Sequence, residues 1–566
     1  MTLLSWIHGI LAFKDSWGSP AQELSFSWVA VGGVDFTFDL TISAQTIGAT
    51  ILISGINLLA QIYAVGYMEM DWGWARFYAL LAFFEAGMCA LVLSDSLFFG
   101  YVILEVLTLG TYLLVGIWYN QSLVVTGARD AFLTKRVGDL FLLMGVVGIL
   151  PLAGTWNFSE LAEWAKTTPV DPTLITFVTL ALLAGPMGKC AQFPLHLWLD
   201  EAMEGPLPST ILRNAVVVET GAWILVKLSP LFALSPFTEK VIVFVGASTA
   251  LGSVLIAIAQ IDVKRALSYL VSAYMGLIFI AVGVGEIESA YLLMLSHALA
   301  SAVLVMAIGS IISNTITQDL TLLGGLWSRR PISGLSFLVG MMGLIALPPL
   351  AGFWAMRELF SHLGKTAPFL AILLWIINGL VGFSLMRVFG LIWGGSRKQM
   401  TERSAEPLWL IVLPMTILAG IILHTPQMLT AVGLIPDWSQ SLNPTAFLLF
   451  GSSVTGLMVG GYLYLNPAVP KPIQLPWPIV QEFFAYDLYT AQIYKSTIVG
   501  LVDSTSRAMY WFDRVFVDGV SNLFGLATLF SSQSLRYSTF GQFQLYMLTI
   551  VIGLGVVLLV VFNRSF

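Results

Sequence analysis

Runs of about twenty mostly apolar residues, the length needed to cross a hydrocarbon core ~30 Å thick, recur along this chain. They predict spanning helices at 43–68, 76–93, 97–118, 131–152, 173–190, 209–228, 240–258, 264–284, 287–312, 332–357, 366–393, 407–424, 444–466 and 542–562. The first dozen residues read as the tail of another helix, which makes about fourteen to fifteen spans. The fold class is an all-α polytopic membrane protein, since the ten-residue alternation of a β-barrel strand is absent. Two helices look broken, 194–230 by Gly205-Pro206-Leu207-Pro208 and 332–357 by Pro348-Pro349 with Gly352 following. Backbone groups freed by such breaks need protein or a wet cavity to satisfy them. Breaks at corresponding positions of successive five-helix groups suggest two inverted five-helix repeats around a transport site. A proline kink repaired by neighbouring helices is the plainer alternative.

Between 467 and 541 the pattern changes to aromatic and aliphatic residues with spaced charges, as in a long amphipathic helix lying along a membrane surface. The chain then divides into a partial N-terminal helix and polar loop (1–42), a transmembrane bundle (43–466), a lateral amphipathic helix (467–541) and a C-terminal anchoring span (542–566). Alternating the loops between sides collects Arg76, Arg129, Lys264, Arg265, Arg329, Arg330, Arg397, Lys398, Arg403 and Lys471 on one face. Lys166, Lys240 and Lys365 fall on the other, so the richer face is expected to be cytoplasmic, with the lateral helix on the same side.

Composition narrows the chemistry. With 57% hydrophobic and 10% charged residues among 566, an ordinary soluble domain is excluded. Cys89 and Cys190 lie in apolar stretches with no spacing for a disulfide, a zinc site or an iron–sulfur cluster. No P-loop, HExxH or strand-bound GxGxxG appears, so neither a catalytic set nor a metal site is expected in this chain, and nothing points to nucleic acid.

The candidate chemistry lies in charges within the predicted spans: Glu85, Glu105, Lys135, Arg136, Asp139, Lys189, Arg213, Glu219, His297 and Arg357. Ionisable groups are costly there and commonly mark ion pathways. Lys189 either snorkels from a helix end to the interface or faces the bundle interior. Lys135 and Asp139 stand four apart and are expected to pair on one helix face. A Lys whose carboxylate partner withdraws is pushed by desolvation to release a proton. His297 reads either as a hydrogen-bonded core histidine or as a relay member midway along the charges. His196, near the first break, is expected to be interfacial or a local hydrogen-bond partner.

Several ordered motifs then stand out: LEVLTLGTYLLVGIWY with Glu105, KRVGD with Asp139, GKCAQFPLHLWLDEAMEGPLP with Lys189, IDVKRALSY, SHALASAVL with His297, DLTLLGGL and ALPPLAGFW. Over nearly the whole chain the sequence resembles the antiporter-like large subunit of respiratory complex I and its photosynthetic relative, chain 5 of the NAD(P)H-quinone oxidoreductase complex. The resemblance implies a proton channel in which Glu105, Asp139, Lys189 and His297 transfer protons. Iron–sulfur clusters and plastoquinone would belong to partner subunits, with no cofactor in this chain beyond lipids. It also implies other membrane-arm subunits of the NDH-1 complex as partners, an NdhD-type neighbour and small subunits along the lateral helix, in the thylakoid membrane. The family has one or two helices before the point where Met1 stands, so the true start is expected upstream.

Departures from the family pattern carry their own expectation. TILRNAVVVETGAW stands where the family usually has ALIHAA, so Asn214 replaces a relay His and Arg213 and Glu219 are additions. Leu293 replaces the first His of a pair, Ser301 a Lys, and FWAMRE the usual FFSKDE, which leaves Met356 for the Lys and Arg357 beside it. The altered pattern looks like the specialised isoform of the cyanobacterial CO2-uptake complex, which docks a CO2-hydration protein. Glu85, Arg213, Glu219 and Arg357 are then candidates for a rerouted proton path. An Mrp-type cation/proton antiporter subunit, a general proton-pumping chain 5 and a docking subunit with a decayed relay are the other readings.

Overall fold

The computed structural model describes residues 1–566 except 33, 437–442, 473–475, 540 and 566. The corresponding parts of the expected N-terminal loop, bundle, lateral segment and anchor lie outside the described residues. The chain forms two compact units, Met1–Leu488 and Tyr489–Phe566.

The first unit opens with α1 (Thr2–Ser16) and a two-stranded antiparallel ribbon, β1 (Gln22–Val31) and β2 (Val34–Ile42). A polar loop was expected there. Alternation such as Ser25-Phe26-Ser27 supports strand pairing, and Phe36 and Phe38 pack against Phe98 and Phe99 of the bundle.

The helices that follow are α2 (Ala44–Tyr67), α3 (Trp74–Leu93), α4 (Leu97–Val115), α5 (Ser122–Ala153), α6 (Phe158–Thr167) and α7 (Pro172–Lys189). Then come α8 (Leu197–Glu201), α9 (Leu207–Leu212), a π-helical turn at Arg213–Val217, α10 (Glu219–Lys227), α11 (Ser229–Phe232), α12 (Pro236–Ala259), α13 (Val263–Gly283) and α14 (Ile287–Thr315). The unit closes with α15 (Pro331–Leu344), α16 (Ala351–Thr366), α17 (Pro368–Ile392), α18 (Trp409–Ala431), α19 (Pro444–Leu465) and α20 (Pro478–Ala485). Their starts are written locally. The Asp171 side chain accepts from Thr173 N and Leu174 N just before Pro172, and Ser235 and Asn443 cap the helices that open with Pro236 and Pro444.

Among the described residues fourteen helices are long and apolar enough to cross a membrane. Leu207–Lys227, Val263–Gly283 and Ile287–Thr315 are almost wholly enclosed and form the bundle's centre, while Ser122–Ala153 and Pro444–Leu465 turn mostly outward. Two sets of five emerge: α3, α4, α5, the α7–α8 pair and α9–α10, then α12, α13, α14, the α15–α16 pair and α17. An odd number of spans per set reverses its direction, so the sets are inverted, and the break falls on the fourth member of each.

The first break is not where the prolines of 205–208 suggested. Gly205 and Pro206 form the turn into α9, whereas the interruption is at 190–196, directly after Lys189. Ala191 there takes a left-handed φ of 50° and Pro194 offers no N–H, so the α-helical ladder cannot continue. The second break is at 345–350, around Pro348-Pro349 as expected. Its backbone is satisfied by Asn378, whose Oδ1 accepts from Ala346 N at 3.0 Å, and by Ser453, whose Oγ donates to Ala346 O at 2.9 Å.

The compact unit runs beyond 466. Gln481 Nε2 donates to Ala259 O at 2.9 Å and Gln260 Nε2 to Ala485 O at 3.2 Å, which fastens α20 to the bundle. The second unit is a helical run of α21 (Thr490–Tyr494), α22 (Gly500–Phe512) and α23 (Asp518–Ser538), joined through π-turns at Lys495–Val499 and Asp513–Val517. At 1.5 Å per residue it is roughly 75 Å long. The last helix is α24 (Phe543–Asn563).

Candidate functional site

One face of α4 presents Glu105, Thr108 and Thr111 to α5, at the three-residue spacing that stacks side chains along a helix. Glu105 forms an ion pair with Arg136 and accepts from Tyr101 Oη at 3.0 Å. Further in, Lys189 Nζ lies 2.7 Å from Asp139 Oδ1, with side chains 3% and 1% exposed. Thr108 completes this knot by donating to Asp139 Oδ2 at 3.0 Å and accepting from Lys189, which also donates to Leu104 O at 3.2 Å. A buried ion pair repays its desolvation only with such added hydrogen bonds. The approach is possible because α5 and α7 touch through glycines: a Cβ on Gly138 would sit 2.7 Å from Ala184 O and 3.3 Å from Gly188 Cα.

Lys135 does not take Asp139 as its hydrogen-bonding partner, contrary to the four-residue spacing. Its Nζ donates to Thr111 Oγ1 at 3.1 Å and stands 3.7 Å from the centroid of the Trp198 ring. Helix spacing gave Asp139 a neighbour, but the break after α7 delivers Lys189 to it from another helix, with shorter contacts.

His297 Nδ1 meets Glu219 Oε1 at 2.8 Å in the enclosed centre, and no cation pairs with that carboxyl among the described residues. The His297 ring stacks on Tyr274 at 5.2 Å between centroids, and Tyr274 Oη shares a 2.8 Å hydrogen bond with Ser296 Oγ. Glu219 begins α10, and Gly221 two residues on lies against the end of α7, where an added Cβ would be 2.6 Å from Lys189 Cβ. Cys190 Sγ donates to Val218 O at 3.2 Å. The Lys189 knot and the Glu219–His297 pair are thus separated by one layer of packed backbone.

The four candidates for a rerouted path are not linked to one another. Only Glu219 joins His297. Glu85 accepts from Thr2 Oγ1 at 2.7 Å and Asn57 Nδ2 at 2.6 Å, and Gln61 Nε2 donates to that threonine at 3.0 Å. Arg213 is held by Ala202 O, by Thr210 Oγ1 at 3.2 Å and by Met203 Sδ at 3.4 Å. Arg357 is half-buried with its guanidinium 5.2 Å from the Trp354 ring centroid, and Met356 is buried beside it. Among the positions where family residues are replaced, Asn214 Nδ2 reaches Ser268 Oγ at 3.5 Å and Ser301 Oγ donates to Asn214 O at 3.4 Å.

Sequence reasoning missed Thr108 and Thr111, because a threonine on an apolar helix has no pattern of its own. It also missed Asp487, which His196 Nε2 meets at 2.9 and 3.0 Å, so His196 is a buried partner and not an interfacial residue. Close by, Arg265 Nε lies 3.4 Å from Asp200 Oδ1. Burial pushes the Asp200 carboxyl up to about 7, against the pull of Arg265. No group of three or more metal-ligating side chains is found among the described residues.

Two inverted five-helix sets, each broken at its fourth helix, with buried charge pairs along the first, define an antiporter-type membrane subunit. The comparisons agree. A family model for the transmembrane region of NADH:quinone oxidoreductase and the Mrp antiporter matches residues 94–382, and one for the chain 5 N-terminus of NADH-ubiquinone oxidoreductase (complex I) matches 28–78. The chain is 43% identical to NAD(P)H-quinone oxidoreductase subunit 5, organellar chromatophore 2, of Paulinella chromatophora, over 98% of this chain and 90% of that one. It is 30% identical to the chloroplastic subunit 5 of Chaetosphaeridium globosum, over 100% and 92%. With the organellar chromatophore 1 version from Paulinella chromatophora identity is 29%, over 97% and 90%. This chain belongs to the NAD(P)H-quinone oxidoreductase subunit 5 family.

Proposed function

We propose that this subunit carries protons through the membrane arm of a photosynthetic NDH-1 complex in a thylakoid membrane, and that its form is specialised for CO2 uptake. Ferredoxin and plastoquinone redox chemistry in partner subunits supplies the energy, and the basic end of the bundle faces the cytoplasm. The observation that carries the specialised reading is the Glu219–His297 pair, a buried carboxyl and imidazole at 2.8 Å, with no Lys or Arg paired to that carboxyl among the described residues. Asp139 with Lys189 acts first, and a proton moves on when the contact between them opens. Glu219 and His297 accept and return one proton between them, in place of the family's His and Lys partners. Hydration of CO2 by water yields bicarbonate and one proton, so a docked CO2-hydrating protein is drawn forward when this pair takes the proton away. Each proton moved across 100 mV is worth ~2.3 kcal/mol.

Two relatives from one organism support the separation of forms, since identity is 43% to one version of subunit 5 and 29% to the other. The apolar surface of α22 and α23 offers neighbouring membrane-arm subunits a long contact.

The test is CO2 uptake measured apart from bicarbonate uptake under limiting inorganic carbon, in cells lacking this chain and in cells carrying Glu219→Gln. Selective loss of CO2 uptake in both, with respiration and cyclic electron flow intact, is expected. Loss of respiration and cyclic flow with CO2 uptake unchanged overturns the specialised reading and leaves a general proton-pumping subunit 5.

A further inference from the structure

Beside the Lys189 knot, the π-helical turn Arg213–Val217 separates two small cavities, each of about 10 Å³. That is the space one water molecule requires. The first is lined by Thr111, Ser209 and Arg213 among apolar neighbours, and the second by Thr210, Asn214 and Lys264. Each wall carries a buried polar atom with no hydrogen-bond partner among the described residues, Arg213 Nε in one and Asn214 Oδ1 in the other. Such atoms are rare unless water or an ion meets them.

The cavities have connected neighbours. Thr111, on the wall of the first, accepts from Lys135 Nζ at 3.1 Å. Thr210, on the wall of the second, accepts from Arg213 Nη2 at 3.2 Å. Lys264, half-buried at the basic end, donates to Met203 O at 3.2 Å. Between Lys135 and the basic end the polar groups therefore run Thr111, first cavity, Arg213, Thr210, second cavity, Lys264.

Arg213 is the exception in that series. Its hydrogen bonds go to a carbonyl, a hydroxyl and a thioether, and among the described residues no carboxylate lies within ion-pair distance. A guanidinium does not deprotonate in proteins, so it cannot pass a proton along, and a fixed arginine in a polar passage repels protons and cations. A π-turn is where a helix aims one side chain inward at the expense of a regular ladder, here with Val218 N reaching back to Arg213 O at 3.2 Å.

We propose that the cavities are two single-water sites forming a side branch from Lys135 to the basic end, and that Arg213 is the electrostatic plug that closes this branch to protons. Arg213 is thus a gate residue and not a carrier. The plug would keep protons on the Lys189 knot from leaking to the nearer surface. This role rests on the proton-carrying reading above, but the water sites do not.

Two measurements test it. In a map of the intact complex at a resolution that shows ordered water, density is expected within hydrogen-bond distance of Arg213 Nε and of Asn214 Oδ1; empty density at both overturns the branch. In liposomes holding the intact complex, proton entry under an imposed pH gradient without electron donor is read from a trapped dye. Arg213→Gln is expected to raise that flux severalfold, Arg213→Lys to leave it low, and Thr111→Val added to Arg213→Gln to bring it back. Flux with Arg213→Gln equal to that of the unaltered complex, at equal assembly, overturns the plug. If the unaltered complex moves no protons when donor is supplied, the proton-carrying reading fails instead, whatever the water density shows.

Discussion

Lys189 and Asp139 stand fifty residues apart in the chain, on different helices, and meet at 2.7 Å inside the bundle, with Thr108 bonded to both. Lys189 ends α7, where the C-terminal helix dipole favours a cation, and the backbone breaks directly after it. The pair is thus held firmly on the Asp139 side and by the end of a helix on the other.

Removing one charge leaves the other buried alone. Asp139→Asn should destabilise the subunit by about 3–5 kcal/mol and lower the amount of assembled complex on native gels. Asp139→Asn with Lys189→Met should recover assembly but not proton uptake. Recovery of both would mean the pair is structural only.

Gly221 tests the layer between the two buried pairs. A methyl there would lie 2.6 Å from Lys189 Cβ and 2.8 Å from Cys190 Sγ. Gly221→Ala should cost about 1–3 kcal/mol by overpacking, and proton transfer should fall more than thermal stability. Activity equal to that of the parent chain would show that the end of α7 yields without consequence.

Asp200 gives a pH dependence whose sign follows from its environment. Burial, with Glu201, Asp487 and Asp262 facing it and Arg265 opposing them, raises its carboxyl to about 7. A raised carboxyl stabilises the fold while protonated. Its contribution is full below the ordinary value of 3.8 and is lost as pH rises through about 7. Thermal unfolding of the complex followed across this interval should show that decline, and Asp200→Asn should flatten it.

The His196–Asp487 contact links the first break to the segment that follows α20. Asp487, Leu488 and Tyr489 take left-handed φ values of 54°, 55° and 57°, unfavourable for residues other than glycine. His196→Ala should release that segment, seen as faster hydrogen exchange across Pro478–Ala485. Unchanged exchange there would show that His196 does not anchor this segment.

The spans, the two breaks as a class of feature, and the buried charges are legible in sequence because each is a local property: apolar length, a proline, a charge where lipid is expected. Pairing is not. Lys135 and Asp139 satisfy the four-residue rule on α5, but Lys189 reaches Asp139 through the third dimension, and Lys135 turns to Thr111 and Trp198. The prolines at 206 and 208 look like the break but form the turn into α9 and its first turn, because the interruption depends on the left-handed backbone at Ala191.

By itself the sequence determined a polytopic helical membrane protein of inverted five-helix design with ionisable groups along its interior. Hydropathy over about twenty residues is set by the bilayer and needs no neighbour to be read. Only the tertiary structure decided which of those groups meet. Glu219 with His297, Lys189 with Asp139, and Arg213 alone between two water-sized cavities are outcomes of helix packing, where approaches through Gly138, Gly188 and Gly221 fix distances that no one-dimensional spacing contains.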